Sequence, residues 1–291
     1  MTTLSALFEQ MKGYLPPQEA VKVENIEDGF SNHVMKLHWC NAPRAVLRVP
    51  ILDTTVFLID RKAELNALKA AQKEGISPAL IWENDQGAIL CEHINAPALS
   101  WEVKHQDNDI KRIGRVFSRV HQLDVQAKSQ NIYQVIDHYI QSIRLNDAHG
   151  KHSEEVTYLR HCCQRMNRVD YHARQEVLCH NDLNPKNILL NEKEVWFIDW
   201  EYAALGDPLF DLAVVSRSHN LNIDQQKVLI NAYDETLEIE DTLDIIRDYS
   251  IAYGLREMAW LLLKHLVTPN DIQSLDYYRE FKESKTLNPF I

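Results

Sequence analysis

Residues 178–201 read LCHNDLNPKNILLNEKEVWFIDWE. A histidine, an aspartate and an asparagine (His180, Asp182, Asn187) precede one short apolar run, and Asp199 and Glu201 follow the next. The turn residues NEKE separate the two runs, which predicts a β-hairpin. Folding it brings Asn187, at the start of the first strand, beside Asp199, at the end of the second. Asp182, Asn187 and Asp199 can then converge at one edge. Charge at strand tips is costly to bury unless something binds there. Hard oxygen donors suit Mg²⁺, with substrate phosphates completing the shell. The remaining acid can orient a hydroxyl and take its proton, the division that phosphoryl transfer requires. Taken singly, each residue is equally well used as a turn cap. Only their joint order points to this chemistry.

The rest of the chain is ordinary for a globular protein. It has 291 residues, 45% of them hydrophobic and 25% charged, with a net charge of -11. That balance argues against a nucleic-acid partner, because phosphate backbones require basic surface. The five cysteines, among them Cys162 and Cys163, show no paired CxxC spacing, so no zinc site is expected. No run is long enough for a membrane span, no cleavable leader is recognisable at the start, and a cytoplasmic protein without membrane insertion is expected.

Around the hairpin, the pattern predicts two lobes, residues 1–93 and 94–291. The first has a helix over 4–15, strands flanking a turn at 28–32, a strand in RAVLRVP (44–50), and a helix from Asp60 ended by Gly75. Leu65, Leu68 and Gln72 are expected along one side of that helix, with Glu64 near the same face. PALIWE and GAILCEHI then form a hairpin around NDQG. The second lobe is mostly helical: Ile113, Val116, Phe117 and Val120 make an apolar stripe, and helices are expected over 209–219, 225–236 and 243–267. The fold class is therefore α+β.

HNDLNPKNILL and FIDWEYA together resemble the protein-kinase-like small-molecule phosphotransferases, through the order H-x-D-x₄-N followed by a metal-binding aspartate. IDWEYA…GDPLFDLA and AVLRVP…LIDRKAELNAL are most similar to the choline/ethanolamine kinase branch. This resemblance implies a bilobal protein-kinase-like fold, with a small antiparallel-sheet N-lobe and a mostly helical C-lobe, and ATP and Mg²⁺ as cofactors. It implies Asp182 as catalytic aspartate and Asn187 and Asp199 as metal ligands. Arg48 would touch the ATP phosphates with Glu64 as its helix partner, Ser31 and Asn32 would form the phosphate loop, and Glu92, His93 and Ile94 the adenine hinge. Asp211 resembles an anchor for the catalytic loop, supported by His180. Asp207 matches an acidic position of the acceptor pocket or loop.

The acids favour a small cationic alcohol as substrate. Choline is the first expectation, with thiamine, ethanolamine and aminoglycosides as alternatives and a non-enzymatic kinase-like scaffold as the contrasting class. A cationic head favours aromatic faces, and Glu201, Tyr253, Glu257 and Trp260 are the expected acceptor residues, with Tyr249, Trp200 and Tyr202 as further aromatics. Glu257 stands where that branch often carries a second tryptophan. His121 is expected to be structural. Asp60 and Arg61 lie close to the helix start, where an ion pair on the surface explains them as well as a role in the site does.

Overall fold

The computed structural model describes residues 3–26, 30–268 and 270–291. An antiparallel sheet and a helical body make up the bilobal architecture that the resemblance implies. The sheet contains β1 (Lys22–Ile26), β2 (Asn32–Trp39), β3 (Ala42–Pro50), β4 (Leu80–Glu83) and β5 (Ile89–Glu92), in the order β1-β2-β3-β5-β4. All its pairings are antiparallel. The β4–β5 turn forms because Asn84 Oδ1 accepts from the Gln86 and Ala88 N–H groups, while Gly87 takes a positive φ of 82°. The β1–β2 turn falls partly on residues 27–29, outside the described residues.

Helix α1 (Leu4–Gln10) stops well before the Pro16–Pro17 pair expected to end it. The chain instead turns at Gly13, whose φ of 97° only glycine adopts easily. With Leu37, Leu47, Trp82 and Leu90, α1 closes a small core on the sheet.

Helix α2 (Arg61–Lys73) begins at Asp60, whose side chain accepts from the Lys62 and Ala63 N–H groups. Its buried face is Ala63, Glu64, Ala67, Leu68 and Ala71. Leu65 is only partly buried, and the Gln72 side chain accepts from the Leu80 N–H. The expected stripe was thus rotated: small alanines let the helix approach closely, so they face inward. Ala67, Leu68 and Ala71 join the larger core, which belongs mainly to the helices.

That body contains α3 (Asp107–Val120), α4 (Ile132–Asn146), α5 (Ser153–Arg165), α6 (Pro208–Ser218), α7 (Ile223–Tyr233), α8 (Ile239–Val267) and α9 (Ile272–Glu283). The expected α3 stripe is buried, with Phe117 fully enclosed. Burying such a side chain contributes about 1.5–3 kcal/mol. Helix α9 was not anticipated. The expected hairpin is β7 (Ile188–Leu190) paired with β8 (Val195–Phe197). A second pair, β6 (Val177–Cys179) with β9 (Ala204–Gly206), was missed because three-residue strands leave no alternation to read. Among the described residues, no helix is long and apolar enough to cross a membrane.

Candidate active site

The loop after β6 is held from beneath. Asp211, fully buried on α6, accepts at 2.7 Å from the backbone N–H groups of both His180 and Asn181. His121 Nε2 lies 3.2 Å from the same carboxylate, and its Nδ1 lies 3.0 Å from the Tyr233 hydroxyl. His121, Cys179 and Asp211 are close enough to suggest a metal cluster. The hydrogen bonds already use both Asp211 oxygens, so they make a structural knot. His180 donates from Nε2 to the Ile198 carbonyl at 2.9 Å, tying the loop to the segment that carries Asp199. Burial lowers its pKa, which keeps the ring neutral. Asn181 sits at φ 64° and Asp199 at φ 64°, a left-handed conformation that Asn and Asp tolerate better than most residues.

This scaffold brings Asp182, Asn187 and Asp199 to one side. Asn187, in the 3₁₀ turn Pro185–Asn187, donates its amide to the Asp182 carbonyl at 2.8 Å and lies 3.3 Å from Asp182 Oδ2. With its nitrogen committed, Oδ1 is its remaining ligand atom. Burial, reinforced by Glu257 and Asp199 but opposed by Arg256, pushes the Asp182 carboxyl up to about 7.

Arg48 on β3 reaches across from the sheet. Its guanidinium pairs with Glu64 on α2 and with Asp199. Burial pulls its pKa down, but Glu64, Asp199 and Glu201 outweigh that and raise it. Asn32 Nδ2 points into the same cluster, 3.3 Å from Glu201 and 3.4 Å from Asp199. Ser31 precedes it, its carbonyl accepting from Ile51 N–H. Glu201 is 3% exposed, and burial together with Asp199 pushes it up to about 8.

Arg61 does not pair with Asp60. It lies 2.7 Å from Glu64 and 3.5 Å from Glu201, while Asp60 caps α2 and faces Lys128. A capping aspartate has its oxygen committed to backbone, which frees the neighbouring arginine to turn inward. Asn32 Oδ1, Arg48 Nε, and Arg61 Nε and Nη2 are buried without a hydrogen-bond partner among the described residues. The donor set fits an Mg²⁺–phosphate group: Asn187 and Asp199 offer hard oxygens, and the arginines offer donors to phosphate.

At the hinge position, the Glu92 and His93 N–H groups are already used, donating to Ala79 and Arg44 carbonyls. Ile94 follows directly and is partly buried.

The residues expected to meet the acceptor come mainly from α8. Arg256, 4% exposed, places Nη1 3.0 Å from Asp182 Oδ1 and 2.7 Å from Glu257 Oε1. Its guanidinium lies 4.6 Å from the centre of the Tyr202 ring and 6.0 Å from that of Tyr253. Trp260 donates from Nε1 to the Tyr202 hydroxyl at 2.8 Å and packs against Phe57. A cavity of about 20 Å³ adjoins them, lined by residues including Tyr139, Asn181, Tyr202, Phe210 and Arg256. That is roughly the room for a single water.

Other expected residues serve the framework. Asp207 caps α6, takes Arg174 through both oxygens and accepts from the Tyr249 hydroxyl at 2.8 Å. Trp200 is fully buried and donates to Ser77 Oγ. Arg256 was missed altogether. Its signal was positional, since 253, 256 and 260 share one face of a helix, and a cation on an otherwise apolar face needs partners.

Residues 23–252 match the family model described as choline/ethanolamine kinase. A LicA homolog of Mycoplasma capricolum is 27% identical over 54% of this chain and 62% of its own. Human ethanolamine kinase 1 is 27% identical over 71% of this chain, but the match spans only 48% of that protein. The crystal structure of choline kinase LicA from Streptococcus pneumoniae superposes with a TM-score of 0.72 at 17% identity, covering 95% of this chain and 96% of that one. At that identity the likeness is one of fold. With the family model matched across both lobes, the chain belongs to the choline/ethanolamine kinase family.

Proposed function

We propose that the protein transfers the γ-phosphate of ATP to the hydroxyl of a small amine-bearing alcohol. The observation that carries this reading is that Asn187 bonds Asp182 through its side-chain amide and the segment of Asp199 through its backbone carbonyl, next to the Arg48–Glu64 pair that also takes Asp199. In this reading Arg48 and Arg61 receive phosphate oxygens, and Ser31 and Asn32 border the nucleotide. Adenine would meet the hinge through the Glu92 carbonyl and the Ile94 N–H, since the Glu92 and His93 N–H groups are taken. Asn187 Oδ1 and Asp199 would hold Mg²⁺, which supplies neutralisation of phosphate charge. Asp182 accepts the hydroxyl proton as the oxygen bonds to the γ-phosphorus and ADP departs. Arg256 and Asn187 fix the carboxylate for that task.

Among acceptors, choline is the sequence expectation. The Glu257 carboxylate, where an aromatic face was the alternative, favours an ammonium that carries N–H donors, such as that of ethanolamine. Incubating the purified protein with labelled ATP, Mg²⁺ and choline, ethanolamine, thiamine or an aminoglycoside tests the reading. Formation of a phosphate ester on at least one cationic alcohol is expected. Phosphorylation of uncharged sugars at comparable rates would remove the cationic-acceptor argument, and no transfer to any of them would return the chain to the scaffold class.

A further inference from the structure

The aromatic rings expected to receive the acceptor's positive head already face cations of the chain itself. Arg256 lies over Tyr202 and approaches Tyr253. Lys264, also buried, lies 5.9 Å from the Trp260 ring centre and is fixed by Asp271 at 2.5 Å and Ser274 at 3.1 Å. Arg256 additionally takes one oxygen each of Asp182 and Glu257. A quaternary ammonium has no N–H donor and depends on aromatic faces for its binding. An ammonium with N–H groups can instead hydrogen-bond to carboxylate oxygens that Arg256 leaves over.

We propose that Arg256 is a specificity-determining residue, an internal cation that occupies the cation position of the acceptor pocket and selects N–H-bearing ammonium alcohols over quaternary ones. This rests on the amine-alcohol reading above and sharpens it. The guanidinium shares a cavity with Tyr139, Tyr202 and Phe210 and lies over the Tyr202 ring, so a trimethylammonium group seeking that ring meets a cation already on it. Admitting choline therefore means displacing a side chain held by two carboxylates and two rings, whereas a compact primary ammonium needs only a neighbouring carboxylate edge.

Calorimetric titration of ethanolamine and choline into the native chain, Arg256→Lys and Arg256→Met, each with Mg²⁺ and ADP present, tests this. The native chain is expected to bind ethanolamine at least tenfold more tightly than choline. Arg256→Lys, which retains a cation, keeps that preference, while Arg256→Met moves the ratio tenfold or more toward choline. Thermal unfolding verifies that each variant is folded. If Arg256→Met unfolds, the native preference and Arg256→Lys decide the matter. A native preference for choline, binding of neither amine, or a ratio unmoved in folded Arg256→Met overturns the proposal. Phosphate transfer separates this from the activity itself: selective binding with no ester from any alcohol sinks the kinase reading alone, and choline ester with an unmoved ratio sinks the role of Arg256 alone.

Discussion

Two charged clusters meet at the catalytic loop, and they are built differently. The sheet-side cluster joins Arg48 and Arg61 to Glu64, Asp199 and Glu201, drawing on β3, α2 and the segment after β8. The α8-side cluster joins Arg256 to Asp182 and Glu257 beneath a layer of tyrosine and tryptophan. In the first, buried donors and an amide oxygen lack partners among the described residues, the arrangement expected of a surface completed by phosphate and metal. In the second, the central cation bonds two carboxylates through Nη1 and lies over the Tyr202 ring. The sheet-side cluster thus keeps polar atoms available for a ligand, whereas the α8-side cluster carries a cation of its own.

The largest effect is expected from removing the carboxylate that Arg256 and Asn187 hold at the loop. Asp182→Asn should lower kcat by about 10²–10⁴-fold, the usual worth of a general base, while ATP affinity stays within about twofold of native. Loss of nucleotide binding in that variant would show that the two sides are not separable.

Arg48→Met should come next. It leaves Glu64 with Arg61 alone and takes the cation from half-buried Asp199, a loss of about 3 kcal/mol, the low end for a broken buried pair. Denaturant unfolding checks it, and a change below about 1 kcal/mol would mean that the pair is not buried in solution.

The acids also set a pH test. Folding raises Glu201 from 4.5 to about 8, and Asp182 from 3.8 to about 7, burial being the first cause in both. Each group's contribution to stability is therefore full below its unfolded value and is lost as pH rises through its folded value. Glu201→Gln cannot ionise, so its melting temperature relative to native should climb between pH 5 and 9. A flat difference would show that Glu201 ionises freely in the fold.

The smallest effect concerns the aromatic layer. Trp260→Phe keeps the packing against Phe57 but loses the bond to Tyr202, and should cost about 1 kcal/mol. Thermal unfolding measures it, and a cost several times larger would mean that the indole supports α8 more broadly.

The asymmetry between the halves also explains what could be read from sequence. Asp182, Asn187 and Asp199 were recoverable because a hairpin fixes their approach and phosphate chemistry restricts the residue types. Arg48 and Glu64 were named by the resemblance to the kinase branch, and the structure pairs them. Arg61 was ambiguous because adjacency to Asp60 allowed a local pair, whereas capping geometry turns the two side chains apart. Tyr249 and Trp200 read as cage aromatics, yet each is spent on holding a buried polar group, Asp207 or Ser77. Arg256 escaped because helical periodicity says which face is buried but not which polar residue on that face will find partners. Elements stabilised mainly by tertiary packing, such as the β6–β9 pair and α9, carried too weak a local pattern to be seen.

The central claim is a division of labour: Asn187 and Asp199 hold metal and nucleotide, and Asp182 serves the acceptor. Binding of Mn²⁺ with ATP, followed by electron paramagnetic resonance in the native chain, Asp199→Asn and Asp182→Asn, tests it most directly. The account predicts at least a tenfold weaker Mn²⁺–ATP complex in Asp199→Asn and near-native affinity in Asp182→Asn. Equal affinities in all three, or a loss confined to Asp182→Asn, would contradict it.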